Sequence, residues 1–331
     1  MAIPSVLVCD DSTLARRLAL RALPDTWRAQ AREASSGEEA IALLAEQTCD
    51  LLLLDLTMHG LDGFGVLQHL KKIGFPGKIV VVSADVQDET VRQVFTLGAS
   101  AFVRKPIDAD NLLQTVAGLG VWDSHSHGLM LAPEQGASFL EVLAEVVNIA
   151  MGRAAALLAR VLGVFIALPV PNVNMLMAGE LQMALQDVAR QDGQRKMAVC
   201  QGFIGGGIAG EALLIFHETD VKSMASLIKS ENCAPSEVLL DVSALVISAC
   251  LSSLADQMNL RFSQGHPQIL GQHTSIEELI AARQGHWPDT LAVEISYSLK
   301  ERDIHFDLLL LFTEDSMPLL ESRLAYLLEK P

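Results

Sequence analysis

Asp10 and Asp11, Asp55, Ser83 and Lys105 each follow a short aliphatic run in the first third of this 331-residue chain. Runs of that kind read as buried strands, so the five side chains collect at strand ends. Three clustered carboxylates repel one another unless a divalent cation shares the site. Ligands that are all oxygen select a hard ion, with Mg²⁺ the usual one. Ser83 supplies a hydroxyl, and Lys105 an ammonium whose backbone is locked by Pro106, expected in cis. A cation and a lysine together neutralise the charge that builds up on a transferring phosphoryl group. A second pair lies further along. Glu145 and Asn148 are three apart in a helical stretch and share one face. The amide can hold a water in line with a phosphorus atom, and the carboxylate can pair with a partner's lysine and fix docking register.

These residues need a scaffold, and the pattern describes it. Strand-like runs at Ser5–Cys9, Leu51–Asp55, Lys78–Ser83 and Ala101–Arg104 alternate with helical patterns at Leu14–Ala22, Gly63–Ile73, Asp88–Leu97 and Asp108–Leu119. Such alternation implies a parallel sheet with helices on both faces and ligands at the carboxyl ends of the strands. The polar, Gly- and Pro-containing stretch 122–135 reads as a linker between domains at 1–121 and 136–331. A long helix is expected from Ser138 to Leu162. From this helix onward the chain repeats itself at an ungapped offset of 96 residues, aligning Glu145 with Asp241, Pro171 with Pro267 and ALLIF (212–216) with LLLLF (308–312). Two units, near 138–233 and 234–331, are expected to build one α/β domain with pseudo-twofold symmetry.

The set Asp10-Asp11, Asp55, Ser83-Ala84, Phe102 and Lys105-Pro106 resembles the signature of CheY-like receiver domains of response regulators, over residues 1–121. The resemblance implies a flavodoxin-like doubly wound sheet. It also implies that Asp55 accepts phosphate from a histidine kinase, and that Asp10, Asp11, Asp55 and the Thr57 carbonyl bind Mg²⁺. Ser83 and Lys105 would contact the phosphoryl group, and Phe102 would be the rotating aromatic of the switch. His59 departs from the family, which often has Pro there, and is expected to alter loop detail rather than chemistry.

The segment EVVNIAMGRAAALLARVLGVFIALPVP, from Glu145 to Pro171, resembles the signature of CheC/CheX/FliY-type chemotaxis phosphatases, and that likeness extends over 136–331. It implies that Asn148 orients a hydrolytic water and that Glu145 pairs with the active-site lysine of a CheY-like substrate receiver, which brings its own Mg²⁺. The second copy has Asp241 and Ala244 at the matching positions, and a methyl group cannot orient water, so that site is expected to be degenerate. Glu141 stands where the family usually has Asp or Ser.

Composition narrows the partners. A net charge of −16 disfavours nucleic acid and DNA-binding output. Five cysteines without a CxxC pair read as packing in a reducing cytoplasm, Cys233 and Cys250 among them. The N-terminus lacks a signal-peptide layout, and the apolar stretch Val238–Leu254 carries Asp241 and four serines, so no membrane insertion is expected. GFIGGGIAG (202–210) reads as a hairpin turn rather than a phosphate cradle, and His125 and His127 lack companion metal ligands. The expected function is a response regulator, phosphorylated on Asp55, whose output domain hydrolyses a receiver's aspartyl phosphate. The alternatives are a self-dephosphorylating receiver and a non-catalytic, phosphorylation-dependent binding module.

Overall fold

Alternating strands and helices fill the first part of the chain in a computed structural model that describes residues 3–121, 138–168, 170–177, 196–217, 220, 223–225, 234–270, 289–299 and 304–328. The expected linker at 122–135, with His125 and His127, and Cys233 lie outside these residues. The chain divides into two units, one running to Glu145 and the other from Val146.

In the first unit the strands are β1 (Val6–Cys9), β2 (Arg32–Ala34), β3 (Leu51–Leu54), β4 (Lys78–Ser83) and β5 (Ala101–Arg104). They form one parallel sheet in the order β2-β1-β3-β4-β5. The helices are α1 (Thr13–Arg21), α2 (Asp25–Arg28), α3 (Gly37–Glu46), α4 (Gly63–Ile73), α5 (Asp88–Thr96) and α6 (Ala109–Gly118). Consecutive strand residues point to opposite faces, and here both faces are covered. Leu7, Cys9, Leu52, Leu54 and Val81 enter one core, while Val6, Val8, Leu51, Leu53 and Val80 enter the other. That is why LVC and LLLL read as unbroken apolar runs. Side chains on Ser12, Ser36, Asp62 and Asp108 cap α1, α3, α4 and α6 by accepting from backbone N–H groups. β2, with its polar REA sequence, and α3 were not expected from the pattern.

Helix α7 (Phe139–Leu162) begins with a capping box. Ser138 N–H donates to Glu141 Oε2 at 2.8 Å, and Glu141 N–H donates back to Ser138 Oγ at 3.3 Å. Glu141 therefore has a structural task in this chain, at the start of the longest helix among the described residues.

The second unit has its own antiparallel sheet. Its strands are β6 (Asn172–Met177), β7 (Lys196–Gly205), β8 (Ile208–His217), β9 (Ser263–Gln264), β10 (Gln268–Ile269), β11 (Asp289–Leu299) and β12 (Ile304–Phe312). The order is β10-β7-β8-β12-β11-β6, with β9 also pairing with β7. Leu213 lies opposite Leu309 at the β8–β12 junction. The helix Pro235–Gln257 contributes Val238, Val242, Val246, Cys250 and Leu254 to the core, where Phe203 meets Phe312 edge-on at 5.5 Å. The GFIGGGIAG stretch is a hairpin, as expected: Gly206 and Gly207 take φ of 59° and 83°, a left-handed pair that glycine adopts without a Cβ clash.

One expectation needs correction. The offset between the halves is not ungapped. Gly205 pairs with Ile208 in the first hairpin, whereas Leu299 pairs with Ile304 in the second, leaving four residues between them rather than two. β8 and β12 begin 96 residues apart, at Ile208 and Ile304, whereas β7 and β11 end 94 apart, at Gly205 and Leu299.

The helices Phe139–Leu162 and Pro235–Gln257 are long and apolar enough to cross a membrane, and 72% and 61% of their most apolar windows are buried within the protein. Buried core helices pass the same length and composition test.

Candidate functional site

The site of the first unit forms at the carboxyl ends of β1, β3, β4 and β5, where the strand order reverses direction about β1 and β3. Asp10 directly follows β1, Asp55 follows β3, Ser83 ends β4 and Lys105 follows β5. The Lys105–Pro106 peptide is cis, as anticipated. Lys105 N–H donates to the Ser83 carbonyl at 2.9 Å, which ties the two loops together at the site.

Lys105 is the electrostatic centre. Its ammonium is 2.7 Å from Asp10 Oδ2, 3.4 Å from Asp55 Oδ1 and 3.4 Å from Glu145 Oε1. All four side chains are buried, with exposures of 3% for Lys105, 5% for Asp10, 2% for Asp55 and 4% for Glu145. One cation thus faces three carboxylates away from water. Burial raises Asp10 to about 6, with the Glu145 charge adding to the effect and Lys105 opposing it. Burial also holds Asp55 well above the usual carboxylate range, and the charges of Asp10, Glu145 and Asp11 push the same way. Burial works against the Lys105 ammonium, yet Asp10, Asp55 and Glu145 together raise it well above its ordinary value.

Asp10, Asp11 and Asp55 present carboxylate oxygens within 4.8 Å of one another. Both Asp55 oxygens are buried without a hydrogen-bond partner. Buried carboxylate oxygen that accepts no hydrogen bond is costly even beside an ammonium, and an all-oxygen triad suits a hard divalent cation. The residues therefore fit Mg²⁺. Asp10 Oδ1 accepts from Ser12 N–H at 2.9 Å, and Arg16 Nη1 donates to the Asp10 carbonyl at 2.8 Å, fixing the end of β1. His59, the departure from the family pattern, contacts Asp11 twice: its N–H donates to Asp11 Oδ2 at 2.9 Å, and ring Nδ1 lies 2.8 Å from the same oxygen. Thr57 is half-buried on the loop after β3, and Phe102 is half-buried against the core that contains Leu54 and Val81.

Gly63, the first residue of α4, lies so close to the end of β3 that a Cβ there would overlap the Asp55 carbonyl oxygen. Beyond Ser83 the sequence reading missed a buried cluster. Asp85 N–H donates to Ser83 Oγ at 3.1 Å, and the Asp85 carboxylate accepts from Thr90 Oγ1 at 2.6 Å and from Gln87 N–H at 3.0 Å. The acidic residue two places after the serine was the one available signal.

Asn148, one turn beyond Glu145 on α7, falls in the second unit and is 9% exposed. Asp241 and Ala244, the expected degenerate pair, lie on the helix Pro235–Gln257, with Asp241 exposed and Ala244 half-buried. The structure thus gathers Asp10, Asp11, Asp55, Ser83, Lys105 and Glu145 in one unit and leaves Asp241 and Ala244 in the other.

Residues 6–117 match the family described as the response regulator receiver domain. The chain is 30% identical over 111 residues to the chemotaxis protein CheY of Bacillus subtilis, covering 34% of this chain and 92% of that protein. It is 34% identical over 120 residues to the sensory/regulatory protein RpfC of Xanthomonas campestris pv. campestris, covering 35% of this chain but only 16% of that relative. Among solved structures, the receiver domain of NtrX from Brucella abortus is 30% identical, with 35% of this chain and 97% of that chain covered and a TM-score of 0.33.

Proposed function

This chain belongs to the response-regulator receiver family, and we propose that it takes phosphate on Asp55 from a histidine kinase and uses the Glu145/Asn148 helix to hydrolyse a receiver's aspartyl phosphate. The observation that carries this reading is the 3.4 Å approach of Glu145 Oε1 to Lys105 Nζ. A carboxylate from such a helix resting on a receiver's active-site lysine is the pairing that the likeness to CheC/CheX/FliY-type phosphatases leads one to expect. The lysine belongs to the same chain, so the chain's own Asp55 is one candidate substrate. A separate CheY-like receiver is the second candidate.

Strand order supports a CheC-like, duplicated second unit. With β6 matched to β10, β7 to β11 and β8 to β12, the order β10-β7-β8-β12-β11-β6 reads the same from either end. Equivalent residues Leu213 and Leu309 face each other at its centre. Phe139 and Pro235 open equivalent helices at the same 96-residue spacing. We read the protein as cytoplasmic.

In the proposed reaction a water oxygen bonds to phosphorus while the bond to the Asp55 oxygen breaks, its electron pair returning to the carboxylate. Both of the water's protons leave with the inorganic phosphate, as dihydrogen phosphate. Asn148 would hold that water through its amide, and Glu145 would keep Lys105 oriented toward the phosphoryl oxygens. Asp10, Asp11 and Asp55 would hold Mg²⁺, which neutralises phosphoryl charge when bound.

Two assays test the proposal on the full chain: the lifetime of Asp55 phosphate after kinase removal, and phosphate release from a separate phosphorylated receiver. Glu145→Ala and Asn148→Ala should lengthen the first or abolish the second, according to which substrate is used. If neither quantity differs between wild type and both variants, the second unit is a binding module and the enzymatic reading is wrong.

A further inference from the structure

The loop between β4 and α5 holds a buried carboxylate to which the proposed hydrolysis gives no task. Asp85 is buried, as are Gln87, Thr90 and Ser83. Its Oδ2 accepts from Thr90 Oγ1 at 2.6 Å, and its Oδ1 accepts from Gln87 N–H at 3.0 Å and from Gln87 Nε2 at 3.1 Å. Burial raises its pKa, while the bonds from Thr90 and Gln87 oppose the rise. A carboxylate out of water is costly unless its lone pairs are occupied. Here three donors from the start of α5 satisfy it, and the same residue's N–H donates to Ser83 Oγ at 3.1 Å.

A hydroxyl has two acceptor lone pairs and one proton. With a lone pair taken by the Asp85 N–H, the rotation of the Ser83 hydroxyl is restricted and its proton remains available to donate. We propose that Asp85 is a positioning residue for phosphorylation of Asp55: clamped by Thr90 and Gln87, it fixes the loop so that the Ser83 hydroxyl is preset to donate to a phosphoryl oxygen. This rests on Ser83 contacting the phosphoryl group, as the receiver resemblance implies. The Asp85 carboxylate acts through Ser83 and does not touch the reacting atoms.

The test is the rate of Asp55 phosphorylation of the full chain by acetyl phosphate with Mg²⁺. Asp85→Ala keeps the backbone N–H but releases the loop, and phosphorylation should slow by about 10-fold, within the range expected for a slightly misplaced group. Thr90→Val, which replaces only the clamping hydroxyl, should slow it in the same direction, and Thr90→Ser should restore the rate. In a Ser83→Ala background, Asp85→Ala and Thr90→Val should have almost no further effect, because the group they position is gone. A general packing defect would lower the rate equally in both backgrounds. Full additivity with Ser83→Ala, or a wild-type rate in Thr90→Val, overturns the proposal.

Discussion

Glu145 Oε1 stands 3.4 Å from Lys105 Nζ, beside two aspartates that already share the same ammonium. The lysine is thus outnumbered, and removing either partner has opposite consequences. Glu145→Ala takes one negative charge from a crowded site and leaves Lys105 paired with Asp10. In chelator, its thermal midpoint should match or exceed that of wild type. Lys105→Met strands three buried carboxylates and should cost about 3–5 kcal/mol in urea unfolding. A large loss of stability in Glu145→Ala would mean that the contact is a structural salt bridge.

A divalent cation should stabilise the chain by binding the folded state alone. At Mg²⁺ a hundredfold above its dissociation constant the gain is about 2.7 kcal/mol. Differential scanning calorimetry with and without Mg²⁺ should show a raised midpoint that Asp55→Asn and Asp11→Asn abolish. Because His59 engages Asp11 Oδ2 through its ring as well as its backbone, His59→Ala should tighten Mg²⁺ binding by a few-fold in fluorescence or calorimetric titration. Unchanged affinity would show that the ring does not compete with the ion.

Gly63→Ala should damage the site from behind. The added methyl meets the Asp55 carbonyl, which is backbone and cannot swing aside. The expected cost is about 1–3 kcal/mol, together with slower phosphorylation of Asp55 by acetyl phosphate. Gly98→Ala makes a useful contrast: its positive φ costs stability, yet its Cβ meets nothing within 4 Å, so phosphorylation should be untouched.

The capping box at the start of α7 should be measurable too. Ser138→Ala removes the acceptor for Glu141 N–H and should lower stability by about 1 kcal/mol. Glu141→Gln keeps a reciprocal acceptor for Ser138 N–H and should cost less than Glu141→Ala. Equal losses in the two Glu141 variants would place its importance elsewhere.

Alkaline pH should weaken the second unit through Cys250. Burial pushes its thiol up to about 12 from an ordinary 9.0, although a hydrogen bond with Tyr297 lowers it somewhat. Its contribution is complete below pH 9. Between 9 and 12 the unfolded chain gives up a proton that the native chain keeps, so stability falls by about 1.4 kcal/mol per pH unit. Urea unfolding at pH 8.5 and 10.5 should show a smaller loss for Cys250→Ala than for wild type. An identical loss would assign the alkaline sensitivity to other groups.

The receiver site was readable from sequence because each of its residues terminates an apolar run, and in a parallel sheet those ends must converge. Asp10, Asp55, Ser83 and Lys105 all fall where that logic puts them. β2 escaped because a three-residue strand with the sequence REA lacks the apolar signature of its neighbours. Glu141 looked like a departure from a pattern, and its structural task at the helix start is a local contact. Asp85 joined residues two and five places away through side-chain contacts that no periodicity reports. Sliding the second half over itself suggested an ungapped repeat, and strand pairing, with two residues between Gly205 and Ile208 but four between Leu299 and Ile304, was beyond its reach. The sequence left open whether the lysine facing Glu145 lies on a separate receiver or on the same chain; the 3.4 Å contact of Glu145 with Lys105 is a matter of geometry, which no residue pattern supplies.

Leu213 opposite Leu309 has a further meaning for assembly. A ladder centred on such a pair is one that either strand could build with a second copy of itself, hydrogen bond for hydrogen bond. Carrying both strands on a single polypeptide keeps the local concentration of the correct mate high at any dilution. Cut between β8 and the helix Pro235–Gln257, each fragment would expose an adhesive margin, and its association would then depend on how much of it is in the tube.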